Sequence, residues 1–282
     1  MVLSSVAQAK LNLYLHITGK RDDGYHLLDS LVVFTEFGDR ITVEASDDLS
    51  LTITGEFATG LPTQDNIVMK AAHALREKCG VSTGAKLAIE KLIPVGAGLG
   101  GGSSDAAAAM LLLNELWQTG LDKEQLAEIG LPLGADVPMC VHQAPCMVSG
   151  IGEVIAPTPE LPAFHLLLVN PRQEVLTAEV YRNFQLSERH QPADEMAGYA
   201  SLMEWLSAQR NDLQQPATTL CPIIQEVLVA IKETQDCTLT RMCGSGATCF
   251  GLYESQQNCI EASKRITSAH PDWWVQSTQS IA

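Results

Sequence analysis

Apolar and polar residues alternate along the chain from residue 7 to residue 17. A period of two is typical of a β-strand that packs one face on a core. Lys10 and Asn12 fall on the polar face of this strand, where two side chains in register either meet solvent or line a site. The apolar face carries Leu11, Leu13, Leu15 and Ile17.

Strand-like and helix-like patterns then follow one another without an internal repeat, which is typical of an α+β protein. Asp65 and Asn66 are predicted to cap a helix that ends at Gly80, and a turn near Gly38 and Asp39 is predicted to join two strands. Strands are predicted over residues 31–34, 40–44, 49–54, 86–90, 164–170, 238–242, 249–253 and 273–277, and helices over 67–78, 106–117, 123–129, 199–208, 256–268 and from 222 onward.

Prolines at positions 157, 159 and 162 mark a change of composition in the middle of the chain. Such a stretch is typical of a domain boundary. A length of 282 residues is enough for two medium-sized domains. The predicted domains are residues 1–156 and 157–282.

A glycine-rich stretch over residues 94–107 separates a predicted strand from a long predicted helix. Glycine permits positive φ angles and close approach to the main chain. Ser103, Ser104 and Asp105 are favourable N-cap residues, so the helix is expected to begin after them. The free N–H groups and the positive end of such a helix suit a phosphate. The alternative is a tight turn before a buried helix.

Three known phosphate-binding loops can be compared with this stretch. The Walker pattern is excluded because no lysine lies between Pro94 and Leu121. The dinucleotide pattern matches at Gly96, Gly98 and Gly101, but the region 118–126 is polar and helix-like instead of a second strand ending in an acidic residue. A protein-kinase loop would need His-Arg-Asp and Asp-Phe-Gly segments, and neither occurs.

Composition narrows the classes of partner. Hydrophobic residues make up 46% of the chain and the formal net charge is −15, which argues against a surface for nucleic acid or anionic membrane. The eight cysteines show no C-x-x-C spacing and are expected to be reduced, buried thiols of a cytoplasmic protein. The spacing of Cys140, His142 and Cys146 does not fit a zinc site, so no protein-held metal is expected. Neither a signal peptide nor a membrane span is predicted.

Two further positions carry candidate chemistry. Tyr25 and His26 end a polar turn, where they either bind a flat heterocycle or, for the tyrosine, pack on the core. Asp136 lies among apolar residues, where it is either an exposed helix cap or a partly buried general base.

Three segments together resemble the signature motifs of the GHMP kinase superfamily. They are the strand 9–13, the loop 94–107 and the Gly-Ser-Gly-Ala-Thr turn 244–248, so the resemblance extends from Lys10 to Tyr253. It implies an α+β, two-domain fold with an N-terminal ribosomal-protein-S5-like domain, a C-terminal ferredoxin-like α/β domain and an active site in the cleft between them. Segments 24–26, 134–138 and 211–213 narrow the resemblance to the branch that uses ATP to phosphorylate the 2-hydroxyl of the methylerythritol unit of a cytidine diphosphate ester, in the non-mevalonate route to isoprenoid precursors.

The resemblance also implies roles for residues. Asp136 matches the general base, Lys10 favours its ionised form and stabilises charge on the phosphoryl group, and Asn12 orients the substrate. Tyr25 and His26 match the cytosine pocket, with Tyr181, after a strand near Thr177, as its second aromatic ring. Ser103 or Ser104 is expected to reach Mg²⁺, which arrives with the nucleotide. The segment matching the ATP phosphate loop consists of Pro94, Val95, Gly96, Ala97, Gly98, Leu99, Gly100, Gly101, Gly102, Ser103 and Ser104.

The sequence departs from the family pattern at Gln8, where proline is common, at Cys243, where serine or threonine is frequent, and at Tyr181, where phenylalanine is expected. Three alternatives stay open at this point: a relative acting on homoserine or mevalonate, a dinucleotide-dependent oxidoreductase and an RNA-associated protein. Tyr25 and His26 argue against the first and the net charge against the third. The expected partners are small molecules only, and the chain is expected to be a monomer or a weak homodimer.

Overall fold

The computed structural model describes residues 1–187 and 191–281. Helices and strands are mixed along the chain, which confirms the predicted α+β class. The strands are β1 (Val2–Lys20), β2 (His26–Ser46), β3 (Ser50–Thr54), β4 (Gly84–Glu90), β5 (Cys146–Gly150), β6 (Val154–Pro157), β7 (His165–Asn170), β8 (Cys237–Met242), β9 (Cys249–Tyr253) and β10 (Trp274–Gln279). The helices are α1 (Ile67–Cys79), α2 (Gly101–Leu116), α3 (Lys123–Gly130), α4 (Val137–His142), α5 (Thr177–Asn183), α6 (Leu202–Ala208), α7 (Gln214–Leu220), α8 (Ile223–Lys232) and α9 (Gln256–Ala269).

The chain forms two compact units that are interleaved in sequence. The first comprises Met1–Lys10, Glu36–Val95 and Gly100–Ala144. The second comprises Leu11–Thr35, Gly96–Leu99 and Pro145–Ala282. The domains 1–156 and 157–282 stay a prediction.

In the first unit, helices cover a small set of paired strands. The second half of β2 pairs antiparallel with β4, and β4 pairs in parallel with β3. Helix α1 packs against α2, whose alanine run 106–109 is fully buried and lets the two helices approach closely. Leu75 of α1 is also fully buried, and burial of such a side chain contributes roughly 1.5–3 kcal/mol.

The second unit contains a four-stranded antiparallel sheet in the order β10-β7-β9-β8. Its core is closed by α8, whose apolar positions recur with the helical period. The first half of β2 pairs with β5, and β5 forms a hairpin with β6 through a turn at Gly150 and Gly152, both at positive φ. The buried residues of α8 are Ile224, Val227, Leu228 and Ile231.

The predicted turn near Gly38 and Asp39 is wrong, because β2 runs through both residues without interruption. A Cβ atom at Gly38 would overlap the carbonyl oxygen of Ala7, so glycine here permits two strands to approach each other. Asp39 is fully buried and accepts hydrogen bonds from the backbone N–H groups of Leu92 and Ile93, at 2.6 and 2.9 Å. The two residue types that suggested a turn mark close packing and a buried acceptor instead.

The predicted start of α2 is also wrong. The helix begins at Gly101, so Ser103, Ser104 and Asp105 lie inside it and do not cap it. The preceding residue, Gly100, has φ +65° and provides no side-chain cap. A left-handed glycine therefore sets the helix start five residues earlier than the polar side chains suggested.

The strand expected near Thr177 is helix α5. Val175, Thr177, Val180 and Tyr181 favour a strand by propensity, but Val180 is buried in the core of the second unit and packing decides. Helix α6 begins at Leu202, after its cap Ser201, and not at residue 199. The short elements α4, α7, β5 and β6 were not predicted, because an element of so few residues is too short to show a clear period. The other predicted elements agree with the structure apart from small differences at their ends.

Candidate active site

Lys10 and Asp136 form an ion pair in the first unit. Lys10 Nζ lies 3.2 Å from Asp136 Oδ2; the lysine side chain is 7% exposed and the aspartate 37%. Asp136 directly precedes α4, yet its side chain makes no capping hydrogen bond. The carboxylate is thus held by one cation and open on its other side, which is the arrangement a general base needs.

Gly100 brings the main chain against this pair. A Cβ atom at Gly100 would lie 3.1 Å from Lys10 Cε and 3.8 Å from Asp136 Oδ2. The next residue, Gly101, is the first of α2, whose N-terminal N–H groups have no partner within the helix. Donors suited to a phosphate, a cation and a carboxylate therefore meet at one place. The roles of Lys10, Asp136 and the end of the loop stay predictions.

The two serines of the loop differ in their surroundings. Ser104 is buried, and its hydroxyl lies 3.4 Å from Cys140 Sγ, on α4. Ser103 is half-buried, and its Oγ would lie 3.9 Å from a Cβ atom at Gly134, two residues before Asp136. Ser103 is therefore the more accessible of the two serines, next to the segment that leads to Asp136.

A second group of charges, which the sequence did not single out, lies under the start of α2. The Lys91 ammonium donates to Asp39 Oδ2 and, at 2.7 Å, to Asp105 Oδ2. Burial, together with the Asp39 carboxylate, raises the pKa of Asp105 to about 7 despite the nearby lysine. The two carboxylates raise the pKa of Lys91 although burial alone would lower it.

In the second unit, the residues Gly96–Leu99 of the loop contact the turn 244–248. A Cβ atom at Gly98 would lie 2.5 Å from the carbonyl oxygen of Cys243, so only glycine permits this approach. The Cys243 thiol donates to the Gly98 carbonyl oxygen at 3.3 Å, and the Thr248 N–H donates to the Ala97 carbonyl oxygen at 3.3 Å. Two of the predicted motifs are thus brought together through backbone contacts.

Asn12 joins the same region through β1. Its backbone N–H donates to Cys243 Sγ at 3.4 Å, and its side-chain Nδ2 donates to Ser30 Oγ at 2.8 Å. The side chain is buried, and the bond to Ser30 fixes the orientation of the amide. Thr177, the first residue of α5, contacts the turn 244–248, with 2.8 Å between its Oγ1 and Ser245 Oγ.

Two of the predicted aromatic residues, His26 and Tyr181, meet in the second unit. His26 stacks on Tyr181 with 5.2 Å between ring centroids and 30° between ring planes. Phe184, which sequence reasoning missed, presents its edge to His26 at 5.7 Å; its position three residues after Tyr181 at the end of α5 was the available signal. Tyr25, which directly precedes His26 in the chain, is 61% exposed. Burial, and then the charge of Lys20, lower the pKa of His26, so its imidazole is neutral at neutral pH and can both donate and accept.

The segment 211–213 secures the turn. Asn211 Nδ2 donates to the carbonyl oxygens of Met242 and Gly244, both at 2.8 Å. Asp212 Oδ2 accepts from the Ile17 N–H at 2.7 Å. Through these bonds β1 and the turn are held to the same short segment.

Within the described parts of the chain, no group of three His, Cys, Asp or Glu side chains is placed to hold a metal ion. All eight cysteines are free thiols, six of them buried. No helix in residues 1–187 or 191–281 is both long and apolar enough to cross a bilayer.

Comparison with known proteins gives a consistent result. The GHMP kinase N-terminal domain family matches residues 66–144, and the GHMP kinase C-terminal family matches residues 196–272. A 4-diphosphocytidyl-2-C-methyl-D-erythritol kinase of Paramagnetospirillum magneticum is 46% identical over 278 residues, 98% of each chain. The protein of that name from Parvibaculum lavamentivorans is 45% identical over 280 residues, 97% of each chain.

Solved structures agree. A crystal structure of 4-(cytidine 5'-diphospho)-2C-methyl-D-erythritol kinase matches with a TM-score of 0.82 at 31% identity, covering 99% of this chain and 100% of that one. A homoserine kinase from Cytophaga hutchinsonii shares the fold, with a TM-score of 0.78 at 16% identity over 100% of this chain and 95% of that one. These matches confirm the GHMP kinase fold and exclude the dinucleotide-dependent and RNA-associated alternatives. The chain belongs to the 4-diphosphocytidyl-2-C-methyl-D-erythritol kinase family of the GHMP kinases.

Proposed function

We propose that this chain transfers the γ-phosphoryl group of ATP to the 2-hydroxyl of 4-diphosphocytidyl-2-C-methyl-D-erythritol, giving the 2-phosphate and ADP. The observation that carries the proposal is the Lys10–Asp136 pair beside Gly100, at the start of α2. The reaction needs a base for the hydroxyl proton and donors for the charge on the transferred group. This place in the first unit offers both.

Asp136 acts as the base. Its open oxygen accepts the proton of the attacking hydroxyl, and positioned proton transfer of this kind contributes typically about 10²–10⁴-fold to the rate. The Lys10 ammonium, 3.2 Å from the other side of the carboxylate, stabilises its ionised form and adds positive charge where the phosphoryl group develops negative charge. A buried lysine is well suited to this, because electrostatic interactions are stronger where water is excluded.

The loop 94–104 and the start of α2 bind the phosphates of ATP. Gly98 and Gly100 both have positive φ, and a Cβ atom at either would press on neighbouring groups, so the loop carries no side chain at these positions. Free N–H groups at the start of a helix suit a phosphate. Mg²⁺ arriving with the nucleotide would neutralise charge on the phosphates. Ser103 and Asp136 would supply hard oxygen atoms of the kind that such an ion prefers. No site for the ion made of protein alone is needed.

The cytosine end of the acceptor is bound by Tyr25, His26 and Tyr181, with Asn12 and Thr177 as polar contacts. Stacking on aromatic rings suits any flat base, and the neutral His26 imidazole can recognise a base edge. Homoserine and mevalonate carry no base, so this group favours the cytidine ester over the substrates of other GHMP kinases. We place the enzyme in the cytoplasm, in the non-mevalonate route, as a monomer or weak homodimer.

Purified protein incubated with Mg-ATP and the cytidine diphosphate ester tests the proposal. ADP should form in proportion to the ester consumed, and phosphorus NMR of the product should show a new phosphomonoester. Free methylerythritol and homoserine are the controls, and both should give no ADP above the ATPase background. Turnover of either control in the absence of turnover of the ester would overturn the assignment.

A further inference from the structure

Three charged side chains are buried under the start of α2, and the proposed reaction does not use them. Lys91 lies between Asp39 and Asp105, and none of the three is more than 5% exposed. The ammonium bonds to one oxygen of each carboxylate. The other oxygen of Asp105, Oδ1, is buried without a hydrogen-bond partner.

The cluster connects three elements of the first unit. Asp39 belongs to β2, Lys91 follows β4 at the entry of the loop, and Asp105 is the fifth residue of α2. Asp39 Oδ1 also accepts from the N–H groups of Leu92 and Ile93, so the loop entry is fixed in direction as well as in distance.

The ammonium lies directly against the first residue of the helix. A Cβ atom at Gly101 would be 3.5 Å from Lys91 Nζ and 3.6 Å from Asp39 Oδ2. The height of the helix start above β2 is therefore set by this contact. A shift of the ammonium would move the N–H groups that follow Gly100.

Stability alone gives no reason for such a cluster. Buried ion pairs bring a large desolvation cost, and well-packed apolar residues of similar volume often serve folding equally well or better. What charged hydrogen bonds add is direction, since each donor and acceptor fixes an angle as well as a separation. A loop that must present N–H groups to phosphates needs that kind of control, because small misplacements in an active site cost rate or affinity.

We propose that Lys91, held by Asp39 and Asp105, is the positioning residue of the nucleotide half of the site, fixing the first turn of α2 where its N–H groups meet the phosphates of a nucleoside di- or triphosphate. The inference rests on the part of the proposed function in which the loop binds a nucleotide, and it does not depend on which acceptor is phosphorylated. It predicts an effect on nucleotide binding that is separate from any effect on stability.

Two substitutions of Asp105 separate the effect of its hydrogen bond to Lys91 from the effect of its negative charge. Asp105→Asn keeps an oxygen that can accept from Lys91, whereas Asp105→Leu has a similar volume and cannot accept. Titration of Mg-ADP by calorimetry should give a dissociation constant within about twofold of wild type for Asp105→Asn and weaker by about tenfold or more for Asp105→Leu. In steady-state assays the KM for the cytidine ester should stay within about twofold for both.

Leu113→Ala is the control for a merely structural effect. Leu113 is fully buried on the same helix, twelve residues after Gly101, so its truncation lowers thermal stability without touching the loop. Its ADP affinity should equal that of wild type. A triple variant, Asp39→Asn with Lys91→Met and Asp105→Leu, removes all three charges and leaves no buried charge without a partner, while the amide oxygen introduced at position 39 can still accept from the two backbone N–H groups at the loop entry. It should fold even where Asp105→Leu does not, and should bind ADP as weakly.

Equal ADP affinities for wild type and either Asp105→Leu or the triple variant would overturn the inference. So would a loss of affinity in Leu113→Ala as large as in Asp105→Leu, because the effect would then follow stability. If wild type binds Mg-ADP but does not phosphorylate the ester, the proposed acceptor is wrong while this titration still decides the role of Lys91.

Discussion

At the scale of single residues, each unit contains both buried and accessible candidate residues. Lys10 and Asn12 are buried and fixed by several contacts, whereas Asp136 and Tyr25 are open to solvent on one side. Buried polar groups keep their position because losing a partner is costly. The open residues are the ones whose substitution reports on chemistry, since little of the fold depends on them.

Asp136→Asn should lower kcat by about 10²–10⁴-fold while Mg-ADP affinity stays within a few-fold of wild type. The amide oxygen can still accept from Lys10, so the buried ammonium keeps a partner, but the amide cannot take a proton from the hydroxyl. Steady-state kinetics and calorimetry on the same preparation measure both quantities.

Asp65→Asn is the matched control, because it breaks an ion pair with Lys70 that is exposed and distant in sequence from the loop. It should leave kcat and ADP affinity unchanged, as surface ion pairs contribute little. A near wild-type kcat for Asp136→Asn would mean that another group removes the proton.

Tyr25→Ala should raise the KM for the cytidine ester and leave the KM for ATP unchanged. Loss of one stacked base contact costs about 1–3 kcal/mol, and the 61% exposed ring contributes little to folding. Tyr181→Phe is the matched variant that keeps a ring, and it should behave like wild type. An effect of Tyr25→Ala on the ATP KM alone would contradict a role in the cytosine pocket.

At the scale of elements, the start of α2 is the feature on which the nucleotide site depends. Gly100→Ala should destabilise the fold by about 1–2 kcal/mol, because the residue has φ +65° and its new methyl group would press on Lys10. Gly102→Ala, inside the helix and 3.8 Å from its nearest neighbour, should stabilise by up to about 1 kcal/mol. Urea unfolding of the two variants and of wild type gives the comparison; equal shifts in the two variants would contradict a left-handed start.

His16 of β1 should make the second unit sensitive to acid. Its Nε2 accepts from the Arg210 N–H at 3.2 Å and its Nδ1 lies 3.1 Å from the Gln191 carbonyl oxygen, so the neutral ring satisfies both. Burial and the charge of Arg210 lower the pKa of His16, against the opposing charges of Asp212 and Asp29.

Because the unfolded chain binds this proton first, the contribution of His16 to the unfolding free energy is complete above its ordinary value of about 6.5 and is lost as the pH falls through the lowered folded pKa. Urea unfolding at a series of pH values between about 8 and 5 measures the slope. His16→Asn should flatten the dependence of the unfolding free energy on pH. Comparison of the variant with wild type cancels the contribution of the other histidines, which both proteins share. Parallel curves for the two proteins would show that the protonation of His16 does not differ between the folded and the unfolded chain.

The motifs could be recognised in the sequence more easily than the elements that hold them, although the roles of their residues stay predictions. Lys10, Tyr25, His26 and the glycine loop were recognisable because their residue types and order are local features. The unbroken β2 and the early start of α2 depend on contacts between distant segments, such as Asp39 with Leu92 and Asp105 with Lys91. Those contacts reverse what glycine and aspartate suggest locally, which is why the turn and the cap were wrong.

At the scale of the whole molecule, the net charge of −15 opposes the approach of two polyanionic substrates. Binding must therefore come from local donors: Lys10, the loop N–H groups and the start of α2. Charges on the outer surface act through water and are screened over about 8 Å at physiological ionic strength. Donors that are buried, as Lys10 is, are screened much less.

This difference predicts a weak dependence of substrate binding on salt. Between about 0.05 and 0.5 M NaCl, the KM values for ATP and for the ester should change less than about threefold, and any change should be a decrease, since salt screens the repulsion before it weakens the local contacts. Free Mg²⁺ must be held constant, and KCl in place of NaCl separates ionic strength from a specific effect of the ion. A KM that rises tenfold or more with salt, on the order expected for long-range attraction, would mean that a positive field attracts the substrates despite the net charge.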